Sequence, residues 1–209
     1  MTDPLASSAP ASAAENVSLR PHVEGREVLV CVCGGIAAYK TATVVSRLAQ
    51  AGARVTVAMT PAATRFVAPL TFQALSARPV HVSPWDHHDA MDPQHIALAN
   101  RLDTVLVAPC TMDCLARLAT GRADDVVSLI LSAVDRTKTP VLLAPAMNVV
   151  MWNQPATRRN LTTLEADGFR FVGPGSGWQA CREVGEGRMS EPEELLAAVA
   201  HACGGRPRR

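Results

Sequence analysis

Short apolar runs alternate with amphipathic stretches along most of this chain. Residues 28–33 form the first run, which ends at the Gly34-Gly35 pair, and apolar residues then recur at helical spacing over residues 36–51. This order predicts a strand, a tight turn and a helix. The same pattern predicts further strands at residues 54–59, 104–108, 140–144 and 169–172, with helical segments starting near Leu115 and Ser128.

This alternation indicates the fold class. Strands of about five residues separated by helical segments favour a parallel sheet covered on both faces, because parallel pairing requires a crossover between strands. We therefore predict an α/β fold with a doubly wound parallel sheet, a three-layer sandwich of the flavodoxin or Rossmann type. Ligands bind beyond the carboxyl ends of the strands in such sheets. Three of those ends are followed by Gly34-Gly35, by residues 109–111 and by residues 145–148.

The composition fits a single domain. The chain has 209 residues, of which 48% are hydrophobic, enough for one good core. We expect a disordered tail at residues 1–26, one domain at residues 27–203 and a loose end at residues 204–209. The net charge of +1, with acids and bases interspersed, disfavours nucleic-acid and membrane partners. Neither a secretory signal nor a run of roughly 18 apolar residues is visible, so we expect a cytoplasmic protein.

Six cysteines are scattered through the chain, at positions 31, 33, 110, 114, 181 and 203. The chain lacks the small, loop-rich character of a disulfide scaffold, so reduced thiols are expected. Cys31 and Cys33 alternate within a predicted strand and should face the same side of the sheet. His87 and His88 lack suitably spaced partners, and a solvated loop explains them better than a metal site. We expect no bound metal.

The Gly34-Gly35 pair is the first candidate for binding chemistry. Between a strand and a helix, it allows close backbone approach and presents helix N-terminal amides to a phosphate. Such a pair is equally common where a strand and a helix simply pack tightly. The dinucleotide fingerprint has three glycines, so a mononucleotide fits better than NAD. Thr60 and Thr111 follow later strands and bring hydroxyls to the same edge, either as phosphate or ribityl ligands or as helix caps.

Two further stretches supply an amide and a thiol, a pair that suits a small carboxylated substrate. Residues 144–152 read APAMNVVMW and place Asn148 after an apolar strand. Residues 180–192 read ACREVGEGRMSEP, a glycine-studded stretch with Cys181 between charged residues. Together with the turn GGIAAYK at residues 34–40, these stretches resemble the flavin-dependent cysteine decarboxylases, the HFCD flavoproteins. The resemblance extends from about Val28 to Pro192.

The resemblance implies FMN as the cofactor. The expected contacts come from three strand ends and from the vicinity of the flavin ring. They are Gly34, Gly35, Ile36, Thr60, Pro61, Ala62, Thr111, Met112, Asp113, Cys114, Ala146 and Met147. Relatives usually carry a small residue and then Asn after the hydroxyl that corresponds to Thr111, whereas this chain has Met112-Asp113. An acid beside a phosphate or a reduced flavin brings cofactor affinity into question, unless its side chain points away or hydrogen-bonds the ring.

Three residues match catalytic positions of the family. His95 begins a predicted helix; alone it reads as a capping or packing histidine, and the resemblance makes it a base. Asn148 alone is a common turn or cap residue, and the resemblance makes it the ligand of the substrate carboxylate. Cys181 becomes the donor of the final proton, in preference to a buried structural thiol. Residues expected to contact the substrate as this clamp closes are Trp178, Gln179 and Ala180.

The activity implied is that of a flavin-dependent carboxy-lyase. Cys181 favours FMN-dependent decarboxylation of 4'-phosphopantothenoylcysteine to 4'-phosphopantetheine in coenzyme A biosynthesis. The alternative is oxidative decarboxylation of a peptide C-terminal cysteine, which would release an enethiol. That alternative stays open because no fused synthase is visible and because Asp113 and Arg182 depart from the family pattern. A non-catalytic flavoprotein and a flavin prenyltransferase are less favoured.

Two further expectations follow from the family. Relatives place Gly after the cysteine where this chain has Arg182, a cation that either restricts the turn or contacts a substrate phosphate. The family also implies a homo-oligomer, a homotrimer or a homododecamer, in which His95 and Asn148 of one site come from different chains. The partner is then a small thiol carboxylate or a peptide C-terminus.

Overall fold

Six parallel strands form the central sheet of the protein. The computed structural model describes residues 19–85 and 94–204. The strands are β1 (Glu27–Val32), β2 (Arg54–Met59), β3 (Val80–His81), β4 (Thr104–Cys110), β5 (Val141–Pro145) and β6 (Arg170–Phe171). They lie in the order β3-β2-β1-β4-β5-β6, and every neighbouring pair is parallel. The strand order reverses between β1 and β4, where doubly wound sheets open a crevice for ligands.

Helices cover both faces of this sheet. They are α1 (Ala38–Gln50), α2 (Pro69–Ser76), α3 (Gln94–Arg101), α4 (Met112–Ala119), α5 (Val126–Ala133), α6 (Val149–Trp152), α7 (Pro155–Ala166) and α8 (Pro192–Gly204). Buried side chains of α1, α2 and α8 join the core on one face, and those of α3, α4, α5 and α7 join the core on the other. The predicted doubly wound, three-layer α/β sandwich is confirmed.

Strand β1 contributes to both cores because its side chains alternate between the faces of the sheet. Val28 and Val30 pack with α1 and α8, whereas Leu29 and Cys31 pack with the helices of the opposite layer. A central strand buried on both faces reads as a continuous apolar run, which is why the sequence identified it. Cys33 joins the same core as Cys31, as the alternation predicted.

The fold begins before β1. Residues 19–23 are helical, and Leu19 and Val23 are buried in the core shared with α1 and α8. Arg26, also buried, donates from Nη1 to Asp103 Oδ1 at 3.2 Å. The predicted domain start at residue 27 therefore lies too far along the chain. Leu19 and Val23 are isolated apolar residues that follow an Ala- and Ser-rich stretch, so the sequence showed no helical pattern there.

The sequence missed two pairing elements. Strand β3 has only two residues, too few for an alternating pattern to show. The second is an antiparallel hairpin of β7 (Gly175–Trp178) and β8 (Val184–Arg188), in a stretch predicted to be a glycine-studded loop. Most hairpin residues are exposed or only partly buried, so they carry no apolar alternation. The hairpin can be recognised only from the backbone hydrogen bonds between its two strands.

Two findings concern metals and membranes. Within residues 19–85 and 94–204, no group of His, Cys, Asp and Glu side chains is arranged to hold a metal ion. In the same part of the chain, no helix is both long enough and apolar enough to cross a bilayer. His87 and His88, predicted to lie in a solvated loop, fall outside the described residues.

Candidate active site

A cleft of about 1060 Å³ opens at the carboxyl edge of the sheet. The segments after β1, β2, β4 and β5 line it, together with the β7–β8 hairpin. It brings together these sequence-predicted residues: Gly34, Gly35, Ile36, Thr60, Pro61, Ala62, Thr111, Met112, Asp113, Cys114, Ala146, Met147, Asn148, Trp178, Gln179, Ala180 and Cys181. His95 is the one predicted site residue that does not line it.

The Gly34-Gly35 turn lies at the carboxyl end of β1, where the chain is tightly packed. A side chain at Gly34 would place its Cβ 2.5 Å from the Cβ of Ala62, so only glycine fits. A Cβ at Gly35 would lie 3.7 Å from both Pro109 and Thr111, an ordinary contact. Helix α1 follows with no side-chain cap at Ala37. No side-chain oxygen thus occupies the start of α1, where the Ala38 and Lys40 amides donate to Gly35 O and Ala37 O at 3.0 Å.

Thr60 and Thr111 both cap a helical turn, which is one of the two roles that the sequence left open. The Thr60 hydroxyl accepts from the Ala63 amide at 3.2 Å, and the Thr111 hydroxyl accepts from the Cys114 amide at 3.3 Å. Thr111 is thereby the N-cap of α4. Both residues also line the cleft. A threonine hydroxyl that accepts one hydrogen bond retains its own proton, which remains suited to a phosphate or ribityl oxygen.

Asp113, the first departure from the family pattern, is paired with a cation of its own helix. Arg117 Nε donates to Asp113 Oδ2 at 2.8 Å, and Arg117 also pairs with Asp124 and Asp125. The hydrogen bond to Asp113 and the adjacent acids raise the pKa of Arg117 above its ordinary value, so the guanidinium stays charged. The acid therefore does not face the cleft as an uncompensated charge.

Asn148 is both a helix cap and a cleft residue. Its Oδ1 accepts from the Met151 amide at 2.8 Å and starts the short helix α6. Because the cap uses the carbonyl oxygen, the side-chain NH₂ is the half of the amide that can donate to a carboxylate. The cap also fixes the orientation of the amide plane. A helix cap and a ligand of a carboxylate, the two alternatives left open by the sequence, are therefore compatible roles for Asn148.

The β7–β8 hairpin is docked on the segment that carries Asn148. The Met147 amide donates to Gly187 O at 2.9 Å, and a Cβ at Gly185 would lie 2.8 Å from the Val149 side chain. Trp152 Nε1 donates to Glu186 Oε2 at 3.0 Å. The two glycines of β8 thus permit a close approach that larger residues would prevent. The base of the hairpin is therefore anchored to this segment.

Cys181 lies at this tip and is exposed, unlike the other five cysteines, which are buried. Its Sγ is 3.6 Å from Gln179 Oε1 and 3.6 Å from Glu183 Oε2. A thiol in this setting is accessible to a molecule in the cleft. The buried structural role considered for Cys181 does not apply.

Cys33, Cys110 and Cys114 form a buried group, of which Cys33 and Cys114 line the cleft. A hydrogen bond to Cys114, together with burial, raises the pKa of the Cys33 thiol well above its ordinary value. A hydrogen bond to Cys110 and burial likewise raise the pKa of Cys114. Thiols of this kind stay protonated and unreactive. They pack as small apolar residues. Cys110 is the last residue of β4, whereas the predicted strand ended at residue 108.

Two cleft cations were missed by the sequence reasoning. Lys40 Nζ donates to Glu191 Oε2 at 2.9 Å, and Arg188 Nη2 pairs with Glu191 Oε1. The Lys40 hydrogen bond lowers the pKa of Glu191, so the carboxylate is ionised at neutral pH. Two cations share this one anion, so the group formed by Lys40, Arg188 and Glu191 is locally positive. Lys40 ends the GGIAAYK turn, a position that could have signalled this role.

His95 is half-buried near the start of α3, which packs against α5. Its neighbour Ile96 is 47% exposed. The prediction that His95 begins a helix before the central strand is correct. Within one chain, however, His95 and Asn148 do not line the same cavity.

Arg182, the second departure, has a backbone conformation that favours glycine. Its φ is +67°, in the left-handed region. The Arg182 amide donates to Gln179 O at 2.9 Å, and the Gln179 amide donates to Glu183 O at 2.9 Å, so Arg182 lies within a closed tip. A non-glycine residue in this region costs about 1–2 kcal/mol. Arg182 therefore adopts a backbone conformation that is unfavourable for any residue with a side chain.

We expect Arg182→Gly to raise the free energy of unfolding by about 0.5–1 kcal/mol, because the steric cost that glycine removes is larger than the stability lost through the added entropy of the unfolded chain. Chemical denaturation followed by circular dichroism measures this change. Arg182→Ala is the matched control, since it removes the guanidinium and keeps the strained Cβ. Equal stability of the two variants would contradict the prediction.

Fold and cleft together define the protein as a doubly wound α/β protein with a cleft at the switch point of its sheet, where such folds bind ligands. The Flavoprotein family pattern matches residues 16–204. The chain belongs to the Flavoprotein family, which supports a flavin cofactor. This agrees with the family resemblance drawn from residues 28–192.

Two curated relatives of this chain have the same name. The Coenzyme A biosynthesis bifunctional protein CoaBC of Haemophilus influenzae is 46% identical over 85% of this chain and 44% of the relative. CoaBC of Bacillus subtilis is 45% identical over 83% of this chain and 42% of the relative. The chain thus spans less than half the length of these relatives.

Solved structures extend the comparison to whole chains. A PPC decarboxylase mutant complexed with pantothenoylaminoethenethiol is 28% identical, with a TM-score of 0.74 over 84% of this chain and 97% of that one. The FMN binding protein AtHal3 is 27% identical, with a TM-score of 0.75 over 88% of this chain and 100% of that one. The FMN-dependent cysteine decarboxylase SpaF is 28% identical, with a TM-score of 0.70 over 84% and 97%.

Proposed function

We propose that this chain catalyses the FMN-dependent decarboxylation of 4'-phosphopantothenoylcysteine to 4'-phosphopantetheine, a step of coenzyme A biosynthesis. The observation that carries the proposal is an exposed thiol, Cys181, in the same cleft as Asn148 and a glycine turn suited to phosphate. The names of the CoaBC relatives and of the PPC decarboxylase structure support the same activity. Since CoaBC is bifunctional and matches over less than half its length, we infer that this chain supplies one of two activities.

FMN fits the residues of the cleft. The uncapped start of α1, the tight Gly34 packing and the two threonine hydroxyls suit a single phosphate and a ribityl chain. Ala146 and Met147 lie at the end of β5, where they would border the ring. A bound flavin supplies a two-electron acceptor for the substrate thiol and later returns those electrons. The chain's own residues bind and orient the substrate and move its protons.

The substrate carboxylate is assigned to Asn148. Its amide NH₂ donates to a carboxylate oxygen, while its Oδ1 stays engaged with the Met151 amide. A neutral amide binds the carboxylate without the strong ground-state attraction of a cation, which would oppose conversion to neutral carbon dioxide. The cap holds the donor in one orientation. Asn148 thereby places the carbon–carbon bond that breaks.

The substrate phosphate suits the positive charge at Lys40 and Arg188. These two cations share Glu191, so the group retains a positive charge and can accept an anion. The Lys40 side chain is mostly buried and lines the cleft. The phosphate of 4'-phosphopantothenoylcysteine is an anion of the kind that such a pair attracts.

His95 is assigned as a base that reaches the cleft of a neighbouring subunit. Within one chain it does not line the cleft with Asn148. Apolar surface is exposed both beside His95, at Ile96, and at the cleft rim, at Ile36. A homotrimer, alone or as part of a homododecamer, would cover both surfaces and complete the site.

Oxidative decarboxylation of a peptide C-terminal cysteine is the less favoured alternative. The SpaF structure carries a cysteine decarboxylase name at a similar level of likeness. That reaction ends at an enethiol and needs no proton donor to a carbon–carbon double bond. The exposed Cys181 beside Asn148 supports the saturated product instead.

We expect Cys181→Ser to stop the reaction at the enethiol. A hydroxyl is a far weaker acid than a thiol, so formation of 4'-phosphopantetheine should fall by at least about 100-fold. Carbon dioxide release in the first turnover should stay within about threefold of wild type, because the thiol acts after decarboxylation. Anaerobic incubation with 4'-phosphopantothenoylcysteine and mass spectrometry of the products measures both.

Two results of this experiment would contradict the proposal. The first is wild-type protein with bound FMN that leaves 4'-phosphopantothenoylcysteine unchanged but decarboxylates a cysteine-ending peptide. The second is a Cys181→Ser variant that still releases saturated product at the wild-type rate.

A further inference from the structure

Gln179 is a buried polar residue in an otherwise exposed hairpin tip. It is 7% exposed, whereas the preceding Trp178 is 62% exposed and Cys181 is exposed as well. A polar side chain is buried only where its hydrogen bonds are satisfied inside the protein. The partners of Gln179 therefore reveal what it does.

Both ends of the Gln179 amide are used. Its Nε2 donates to Glu186 O at 2.8 Å and to Gly185 O at 3.3 Å, which ties the start of the tip to strand β8. Its Oε1 accepts from the Val149 amide at 3.1 Å, which ties the tip to the first turn of α6. The side chain thus joins the hairpin to the segment that Asn148 caps.

The same oxygen is also next to the thiol. Cys181 Sγ lies 3.6 Å from Gln179 Oε1, within the range of an S–H···O hydrogen bond. One atom therefore contacts the amide of Val149, the residue after Asn148, and the thiol of Cys181. The Gln179 backbone adds to this, since its amide donates to Glu183 O and closes the tip.

We propose that Gln179 is a positioning residue that holds the Cys181 thiol at a fixed distance from Asn148. This inference rests on the proposed function, in which Asn148 binds the substrate carboxylate and Cys181 donates a proton. It also changes the role predicted for Gln179 from the sequence. An amide whose donor and acceptor are both used within the protein orients other groups rather than binding substrate.

The chemical step that depends on this positioning is the second half of the reaction. After carbon dioxide leaves, the enethiolate needs one hydride equivalent, carried by the reduced flavin, and one proton. Two C–H bonds then form: the carbon next to sulfur takes the hydride that a bound reduced flavin would supply, and the carbon that lost carbon dioxide takes the proton released as the Cys181 S–H bond breaks. The Cys181 thiolate left behind regains a proton from solvent. A displaced thiol would let the enethiol dissociate first. Decarboxylation itself does not use the thiol.

The test compares Gln179→Leu with Gln179→Glu. Leucine has a similar volume and removes every hydrogen bond, whereas glutamate keeps an oxygen for the Val149 amide and for Cys181. We expect Gln179→Leu to raise the ratio of enethiol to 4'-phosphopantetheine at least about tenfold, with carbon dioxide release within about threefold of wild type. Gln179→Glu should recover a ratio closer to wild type.

Trp152→Phe is the matched control. It removes the Trp152–Glu186 hydrogen bond, which also fastens the hairpin, and leaves the contact between Gln179 and Cys181 intact. We expect the product ratio of this variant to stay at the wild-type value. Circular dichroism and thermal melting check that each variant is folded.

A second measurement needs no turnover. Cys181 is the exposed cysteine among six, so iodoacetamide should label it selectively, and peptide mass spectrometry follows the rate. Labelling should be several-fold faster in Gln179→Leu than in wild type, and unchanged in Trp152→Phe.

Different results would show whether the role of Gln179 or the proposed function is wrong. If Gln179→Leu loses carbon dioxide release in proportion to saturated product, or if Trp152→Phe shifts the ratio equally, Gln179 has no specific positioning role. If wild type produces no carbon dioxide from 4'-phosphopantothenoylcysteine, the proposed function fails instead. The labelling rates then decide alone, and equal rates in wild type and Gln179→Leu would overturn the inference.

Discussion

Replacing Asn148 with Asp is expected to remove nearly all decarboxylase activity while the protein stays folded. Aspartate is as good an N-cap as asparagine, so an Oδ of the new side chain can still accept from the Met151 amide. The second oxygen, however, replaces the NH₂ that binds the substrate carboxylate, and it carries a negative charge. We expect kcat/KM to fall by about 10³-fold or more, which corresponds to about 4 kcal/mol of transition-state stabilisation.

Asn148→Ser provides the control for the cap. Serine also caps helices and brings no charge, so this variant loses only the amide donor. Its kcat/KM should fall less, by about 10- to 100-fold. Carbon dioxide release at several substrate concentrations, with the melting temperature of each variant, makes the comparison. If Asn148→Asp retained wild-type activity, the carboxylate would have to bind elsewhere in the cleft.

The central sheet was predictable from sequence because its strands are buried on both faces. Strand β2 was predicted with its observed bounds, and β1, β4 and β5 to within two residues at either end. Each is a mostly apolar run, and the parallel arrangement follows from the helices between them. Because parallel strands end at one edge, the predicted convergence of Gly34, Thr111 and Asn148 on one cleft required only their positions after those strands.

The hairpin was not predictable by the same reasoning. Strands β7 and β8 expose most of their residues, and glycines in β8 serve the close approach to Met147 and Val149 rather than a turn. Such contacts are made between segments far apart in the chain, and no local pattern encodes them. The use of the Gln179 amide within the protein, and the sharing of Glu191 by Lys40 and Arg188, were missed for the same reason.

His95 marks a different limit, because the role proposed for it requires a second chain. The sequence placed it correctly at a helix start, and among the described residues of one chain it does not line the cleft that holds Asn148. If a neighbouring subunit supplies it, two inactive variants should restore each other. His95→Asn lacks the base, and Asn148→Asp lacks the carboxylate ligand, yet a mixed oligomer contains some sites with both residues intact.

We expect co-expression of His95→Asn and Asn148→Asp in equal amounts to restore about a quarter of the wild-type activity per site, because each site draws its two residues independently from a mixed pool. Each variant expressed alone should show almost none. Two affinity tags allow mixed oligomers to be isolated, and carbon dioxide release measures their activity.

The doubly substituted chain, co-expressed with wild type, separates the two arrangements further. Sites shared between subunits would again retain about a quarter of the activity, since both contributing chains must be wild type. Sites contained within one chain would instead retain about half in this mixture, and the two single variants would restore nothing. Light scattering of the same preparations adds an independent reading: a flavin-bound monomer with full activity would exclude a site completed by His95 of a neighbour.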